Sequence, residues 1–174
     1  MFKFITGGFR SGRSNYALRR ASELGPPPWC YASHDVEVDE ALTKRLQRHR
    51  KDQEAIWTAC VVPKNILELT TKEALGRYGV MVIDGFAAWL EERVMEQPGS
   101  DDKELLHDIE ELADLLYRTT TPVILVTREV GFTAPPQDAE AQRAYHLLGT
   151  ANQILSASAS QVALMVSGTP LRIR

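Results

Sequence analysis

Short, nearly continuous runs of apolar residues recur along the chain, and they are rich in β-branched and aromatic side chains. Runs of this kind are typical of strands that are covered on both faces. The last run follows Gly168 and Pro170 closely enough to form a hairpin, so it predicts an antiparallel edge strand. The predicted strands are Phe2–Thr6, Trp29–Ala32, Trp57–Val62, Val80–Ile83, Val123–Thr127, Val162–Val166 and, as the edge strand, Leu171–Arg174.

The segments between these runs carry apolar residues at helical spacing. The alternation of strands and helices predicts an α/β fold, a three-layer sandwich with a mainly parallel sheet. The breaks at 25–28, 97–102 and 132–138 have the composition of loops and not of domain linkers. We therefore expect one domain over residues 1–174. The predicted helices are Arg13–Leu24, Val38–Lys51, Asn65–Tyr78 and Leu105–Tyr117.

Composition narrows the classes of partner and compartment. The net charge is -3, with 25% charged residues, so the chain lacks the basic surplus that favours nucleic acid as a partner. Cys30 and Cys60 are isolated in sequence, which argues against a disulfide scaffold or a structural zinc site and suits a reducing compartment. There is no signal-peptide pattern and no apolar run long enough for a membrane span, so we expect a cytoplasmic protein.

The stretch GGFRSGRS, residues 7–14, differs at one position from the phosphate-binding pattern GxxxxGK[ST]. A predicted strand precedes it and a predicted helix follows, which is the context in which this pattern binds nucleotide phosphates. Its glycines allow backbone N–H groups to approach phosphate oxygens closely. The alternative is a simple turn that joins the strand to the helix. The predicted nucleotide-binding residues of the loop are Gly7, Gly8, Phe9, Arg10, Ser11, Gly12, Arg13 and Ser14.

Arg13 stands where the pattern has lysine. It keeps the positive charge but presents a planar fork, so we expect nucleotide binding to survive better than catalysis. The Ser14 hydroxyl is a candidate ligand of Mg²⁺, and the segment VMVID places Asp84 at the carboxyl end of an apolar strand as a second one. The alternative for Asp84 is a cap on the next helix.

With these residues placed, six strings along the chain resemble the bifunctional adenosylcobinamide kinase/adenosylcobinamide-phosphate guanylyltransferase family of cobalamin biosynthesis. TGGFRSGRS is similar to the family's TGGARSGKS, RLQRHRKD to its RIxxHRxxRP and VIDGFAAWL to its LLDCLTLWL. VILVTREVG, LLGTANQIL and VALMVSGTPLRI are similar to its VLVTNEVG, LLGRLNQRL and VxLVVAGIPLxL. The strings follow the family's order over nearly the whole chain, and the resemblance implies a phosphate-loop fold of the RecA type.

The resemblance implies two reactions. A nucleoside triphosphate with Mg²⁺ phosphorylates the aminopropanol hydroxyl of adenosylcobinamide, and a histidine then carries GMP from GTP to the product as a phosphoramidate. That histidine corresponds to His49, with Arg50 and Lys51 beside it to neutralise phosphates. A neutral imidazole suits the role because it attacks near pH 7 and leaves again. Without the resemblance, His49 has the features of a solvated surface residue.

The resemblance also assigns residues at the ends of other strands. Ala32, Ser33 and His34 correspond to a turn that contacts the guanine nucleotide; the alternative is a strand-end loop without a ligand. Glu129, in TREVG, is a candidate second catalytic carboxylate that serves the metal or activates the hydroxyl. A structural glutamate paired with an arginine is the alternative.

The chain departs from the family pattern at several positions, among them Arg13 and, in the motif that contains Glu129, Arg128. Two other functions therefore stay open: a catalytically impaired paralogue that binds nucleotide or corrinoid, and a phosphate-loop kinase for another small alcohol. The resemblance implies ATP or GTP as substrate, and a homotrimer with nucleotide sites near the subunit boundaries.

Overall fold

The fold is known from a computed structural model that describes residues 1–34, 40–48 and 57–174. Within these ranges seven strands form one sheet, in the order β3-β2-β4-β5-β1-β6-β7. Every neighbouring pair is parallel except β6 and β7, which confirms the predicted α/β sheet with an antiparallel C-terminal edge. The strands are β1 Phe2–Gly7, β2 Trp29–Ser33, β3 Trp57–Val61, β4 Val80–Asp84, β5 Val123–Val126, β6 Gln161–Val166 and β7 Thr169–Arg172.

The edge strand begins two residues earlier than its sequence predicts. Ser167 and Gly168 both have positive φ angles, +49° and +82°. A two-residue turn of this kind matches the twist of the strands that it joins, so β7 pairs with β6 from Thr169 onward.

Six α-helices and one 3-10 helix lie in the described part of the chain. The single helix predicted over Asn65–Tyr78 is wrong, because Thr71 is extended and its hydroxyl accepts a hydrogen bond from the N–H of Ala74, which starts a new helix. The helix after β4 was not predicted, since it is apolar over most of its surface. The helices are α1 Arg13–Leu24, α2 Glu40–Gln47, the 3-10 helix Ile66–Thr70, α3 Lys72–Leu75, α4 Phe86–Glu96, α5 Lys103–Arg118 and α6 Ala139–Ser158.

Successive strand residues alternate between two hydrophobic cores, one on each face of the sheet. In β4, Val82 packs with α1 and α2, whereas Ile83 packs with the core that holds α4, α5 and α6. This is the period-2 alternation of a strand, with both faces covered. The three-layer arrangement therefore agrees with the sequence prediction.

The carboxyl ends of the parallel strands meet at one edge of the sheet, where open α/β folds bind their ligands. Ser33, Asp84, Val126 and Ile5 form one row across β2, β4, β5 and β1. Because neighbouring strands are about 4.8 Å apart, the Asp84 backbone lies roughly 10 Å from that of Ile5. The register thus brings Asp84 to the same edge as the phosphate loop, with β5 between them.

Two further features bear on the sequence predictions. Cys30 and Cys60 are free thiols on neighbouring strands with their Sγ atoms 3.6 Å apart; the hydrogen bond between them, together with burial, raises the pKa of Cys30.

Across residues 1–34, 40–48 and 57–174, each helix is too short or too polar to serve as a membrane span.

Candidate nucleotide site

The segment 7–14 forms a compact loop between β1 and α1. Gly12 is the residue before the helix, with a φ of +92° and no side-chain cap, so the first N–H groups of α1 are left for a ligand. The turn between β6 and β7 braces the loop, because the N–H of Gly168 donates to the carbonyl of Ser11 at 2.9 Å. Any Cβ at Gly12 would lie 3.2 Å from the Cα of Gly168, which adds a steric requirement for glycine.

The two glycines that open the loop have different roles. A Cβ on Gly7 would lie 2.6 Å from the carbonyl oxygen of Met165 and 2.8 Å from the Ser11 hydroxyl, so a side chain there would displace the loop or β6. A Cβ on Gly8 would meet only the ring of Phe132, at an ordinary contact distance of 3.6 Å. Close packing therefore requires glycine at position 7 but not at position 8.

Ser11 carries a polar atom that the described protein does not satisfy. The residue is 7% exposed, and its Oγ has no hydrogen-bond partner within the described residues. A buried hydroxyl without a partner costs about 1–3 kcal/mol. An oxygen of a bound phosphate would satisfy it, so the loop suits an anion on grounds independent of its sequence motif.

Arg13 turns back onto its own loop. Its Nη1 donates a hydrogen bond to the carbonyl of Gly7, the last residue of β1. Part of the guanidinium is thereby engaged by the loop backbone. The arginine that replaces the expected lysine therefore has a structural contact of its own.

A cavity of about 460 Å³ lies over the start of α1. Three arginines line it, Arg10 and Arg13 from the loop and Arg48 from the residue after α2, and the described part of its lining includes no carboxylate. Arginine clusters of this kind bind phosphate oxygens through charge-assisted hydrogen bonds. The cavity therefore has the charge that a polyphosphate requires.

The residues proposed for the GMP intermediate follow directly in the chain. His49, Arg50 and Lys51 lie outside the described residues. Arg48, which immediately precedes them, is exposed and lines the phosphate cavity. The described residue that precedes this segment therefore borders the cavity over the phosphate loop.

Asp84 is held at the end of β4 by neighbours from the same edge. It is 8% exposed, its Oδ2 accepts a hydrogen bond from the hydroxyl of Tyr31, and its carbonyl accepts one from the N–H of His34 at 3.1 Å. Gly85, and not Asp84, is the N-cap residue of α4, and no side-chain hydrogen bond caps this helix. The capping alternative for Asp84 is therefore not what the structure shows.

The donors near the loop suit Mg²⁺ bound together with a nucleotide. Magnesium is commonly held by one or two carboxylates, waters and substrate phosphates. Asp84 supplies a carboxylate, and Ser14 supplies a hydroxyl in the first turn of α1. Within the described ranges, no three His, Cys, Asp or Glu side chains are grouped to hold an ion by themselves. Waters and phosphate oxygens are the further ligands that Mg²⁺ commonly takes.

Glu129 lies beside the start of the phosphate loop. Its backbone N–H donates to the carbonyl of Gly7 at 3.0 Å, and its Oε2 accepts from the hydroxyl of Thr6 at 3.3 Å. Its Oε1 accepts from the N–H of Gly131 at 3.3 Å, whereas the neighbouring Arg128 pairs with Glu91. The neighbouring Arg128 is thus engaged elsewhere, and the carboxylate is held next to the loop by Thr6 and Gly131.

Ala32, Ser33 and His34 are not brought to the phosphate loop. β2 is three strand intervals from β1, about 14 Å along the sheet. Ala32 and Ser33 are buried, and the Nε2 of His34 lies 2.8 Å from a carboxylate oxygen of Glu92. A nucleotide that contacts this turn would therefore do so through a part remote from the loop.

Two residues of the site were missed by sequence reasoning. Thr6 and Tyr31 hold Glu129 and Asp84 through their hydroxyls. Both lie within predicted strands. A period-2 pattern indicates only on which face of the sheet a side chain lies, and not which residue it contacts. The position of Thr6 directly before the loop was the one available signal.

Comparison with known proteins gives an independent view of the chain. The family described as "Cobinamide kinase / cobinamide phosphate guanyltransferase" matches residues 3–173. The "Bifunctional adenosylcobalamin biosynthesis protein CobU" of Salmonella typhimurium is 26% identical over 184 residues, with 100% of both chains covered, and that of Escherichia coli is 24% identical with the same coverage. The "Bifunctional adenosylcobalamin biosynthesis protein CobP" of Pseudomonas aeruginosa is 26% identical and covers 100% of this chain and 98% of its own.

A solved structure supports the fold. A protein from Pyrococcus horikoshii superposes with a TM-score of 0.57 at 7% identity, covering 98% of this chain and 84% of its own. Similarity at this identity concerns the arrangement of strands and helices only.

Proposed function

The chain belongs to the cobinamide kinase / cobinamide phosphate guanyltransferase family, and we propose that it phosphorylates adenosylcobinamide and then transfers GMP to the product. Membership confirms the resemblance found in the sequence and the class of enzyme, a kinase and nucleotidyltransferase of cobalamin biosynthesis. The proposal takes residues 1–174 as one phosphate-loop domain. It concerns which residues of this chain perform the two reactions.

The kinase reaction is the one that the described geometry supports best. The loop N–H groups and the arginines of the cavity bind the phosphates of ATP or GTP, and Glu129 accepts the proton of the aminopropanol hydroxyl. The hydroxyl oxygen then attacks the terminal phosphorus, and the nucleoside diphosphate leaves. Mg²⁺, bound through Ser14, Asp84 and phosphate oxygens, would neutralise charge on the transferred group.

The observation that carries this proposal is the placement of Glu129. It lies in the loop after β5, the strand that pairs with β1, and is tied to Thr6 of β1 and to Gly131. A general base must lie near the reacting hydroxyl, and that hydroxyl must lie near the terminal phosphate. A carboxylate beside the loop meets both requirements.

The transferase reaction is assigned to His49. Its imidazole attacks the α-phosphorus of GTP, pyrophosphate leaves, and an oxygen of the cobinamide phosphate later displaces the histidine to give adenosylcobinamide-GDP. Arg48 supports the assignment, because it lines the phosphate cavity one residue before His49. In the proposed enzyme Arg50, Lys51 and the turn at Ala32, Ser33 and His34 contact the guanine nucleotide.

Labelling with α-labelled GTP and Mg²⁺ tests this assignment. We expect a protein-bound label that is lost in acid and kept in alkali, as for a phosphoramidate, and that is absent from His49→Ala. His107→Ala is the matched control, because His107 is exposed on α5, far along the chain. An unlabelled native protein, or equal labelling of His49→Ala, would contradict the transferase half.

The remaining parts of the proposal concern assembly and location. We expect a homotrimer in the cytoplasm, which sedimentation and cell fractionation test.

The impaired-paralogue alternative predicts nucleotide binding without turnover, and the alternative kinase predicts nucleotide consumption with a small alcohol in place of the corrinoid.

A further inference from the structure

A second cavity lies against the phosphate loop and includes Phe9 of the loop in its lining. Its volume is about 480 Å³, within the usual range of ligand pockets. Phe9 of the loop forms one wall, Glu91 and Met95 of α4 another, and Arg128, Thr133 and Tyr145 close it. Phe9 and Arg10 are consecutive residues, so the loop contributes to the lining of both cavities.

The two cavities differ in charge. Among the residues that the structure describes, the phosphate cavity is lined by three arginines without a carboxylate, whereas the second contains one cation and one anion, Arg128 and Glu91, paired with each other. A balanced pair attracts no polyphosphate, but its remaining donors and acceptors can hydrogen-bond to neutral polar groups such as amides. The second cavity therefore suits a polar ligand without an anionic cluster.

The rim of this cavity is apolar and exposed. Phe9 is 83% exposed and Met95 47%, and Phe132, which precedes the lining residue Thr133, is 58% exposed. Large apolar side chains exposed together mark a binding surface more often than an ordinary surface. A ligand with a broad apolar body would cover them.

Contacts of the protein keep the cavity in place before any ligand binds. The hydroxyl of Tyr145 on α6 lies 2.7 Å from the carbonyl of Val130 and 3.0 Å from that of Thr133. These contacts attach the loop after β5 to α6. Glu129 belongs to the same loop, so the cavity and the proposed base are held by one framework.

We propose that this cavity, hereafter the acceptor cavity, binds the corrinoid ring of the kinase substrate. The amide groups on the rim of that ring are the part that the cavity contacts. The inference rests on the proposed function, and it adds where the acceptor sits. The acceptor hydroxyl must reach the terminal phosphate, so its site must share a wall with the phosphate loop, as this cavity does through Phe9. Cavities of about 360 and 520 Å³ beside Thr121 and Met1 contain no residue of the loop.

Binding of adenosylcobinamide, followed by calorimetry, tests the assignment. Met95→Glu places a charge on the apolar wall, and Arg128→Ala removes the amide partner; each is expected to raise the corrinoid Kd at least tenfold. Neither substitution touches the arginine-lined cavity, so the Kd of a non-hydrolysable ATP analogue should change less than twofold. Leu171→Glu is the control, because Leu171 is 53% exposed on β7, at the edge of the sheet.

The outcomes separate this inference from the proposed function. Native binding that is lost in both variants but kept in the control supports the acceptor cavity, provided that thermal melting shows all proteins folded. Native binding that both variants retain overturns the acceptor cavity and leaves the proposed function standing. A native protein that binds nucleotide but no corrinoid overturns both.

Discussion

The guanidinium of Arg13 donates a hydrogen bond to the carbonyl of Gly7, so the residue that replaces the lysine of the phosphate-binding pattern fastens the two ends of its own loop. A lysine has a compact ammonium on a flexible stem and forms such a contact less well. The arginine thus contributes to the shape of the loop as well as to its charge. Whether it also reaches a terminal phosphate depends on releasing this contact.

Arg13→Lys should separate the two contributions. We expect the melting temperature to fall by about 2–4 °C, since a lost hydrogen bond of about 1 kcal/mol shifts a domain of this size by that amount. We expect kcat of phosphoryl transfer to rise severalfold, because the ammonium is free to follow the transferred phosphate. Melting curves and initial rates measure the two effects, with Arg13→Ala as the control. A kcat as low in Arg13→Lys as in Arg13→Ala would show that the planar fork itself is required.

Ser11→Ala should weaken nucleotide binding without loss of stability. The Oγ of Ser11 is buried and has no partner in the described structure, so its removal abolishes an unsatisfied group in the free protein and a hydrogen bond in the complex. The expected change is an unchanged or higher melting temperature and a nucleotide Kd about fivefold higher, equivalent to about 1 kcal/mol. Ser22→Ala, on α1, is the control for calorimetry. An unaltered nucleotide Kd would remove Ser11 from the site.

Glu129→Gln should divide the two reactions. The amide oxygen can still accept the hydrogen bond from Thr6, but it cannot take the hydroxyl proton. We expect kcat for corrinoid phosphorylation to fall about 10²–10⁴-fold, the usual effect of a general base, with labelling by α-labelled GTP unchanged. The two assays on one preparation provide the comparison. Equal loss of both activities would indicate a structural role.

Arg48→Ala tests the cation that α2 brings to the phosphate cavity. We expect the Kd for a nucleoside triphosphate to rise about threefold to tenfold at low salt, with a smaller change at high salt, because exposed charges are screened. Arg77→Ala is the control, since Arg77 pairs with Glu73 on the surface and does not line the cavity. Affinities that are equal at every salt concentration would contradict this role.

Local sequence signals predicted most of the fold. The run from Val80 to Ile83 reveals its strand because both faces are buried and every residue is apolar. The break at Thr71 was missed, since a threonine within a helical pattern caps a new helix only when the backbone there becomes extended. The helix Phe86–Glu96 was missed because a largely apolar helix has no clear amphipathic period.

The candidate site was predicted where it is local and missed where it depends on packing. Residues 7–14 form one continuous motif between a strand and a helix, so their sequence alone indicates the loop. The nearness of Glu129 to the loop follows from the pairing of β5 with β1, and no pattern along the chain sets that strand order. The contacts of Arg13 with Gly7 and of His34 with Glu92 depend on side-chain orientations that only the folded structure defines.

Transfer of label from a γ-labelled nucleoside triphosphate to adenosylcobinamide tests most directly whether the loop with Arg13 is a working kinase site. The account predicts that the native protein, with Mg²⁺ present, forms labelled adenosylcobinamide phosphate over many turnovers. Under the same conditions Glu129→Gln forms it only at the reduced rate given above for that variant. Nucleotide and corrinoid that bind to the native protein without any transfer of label would contradict it.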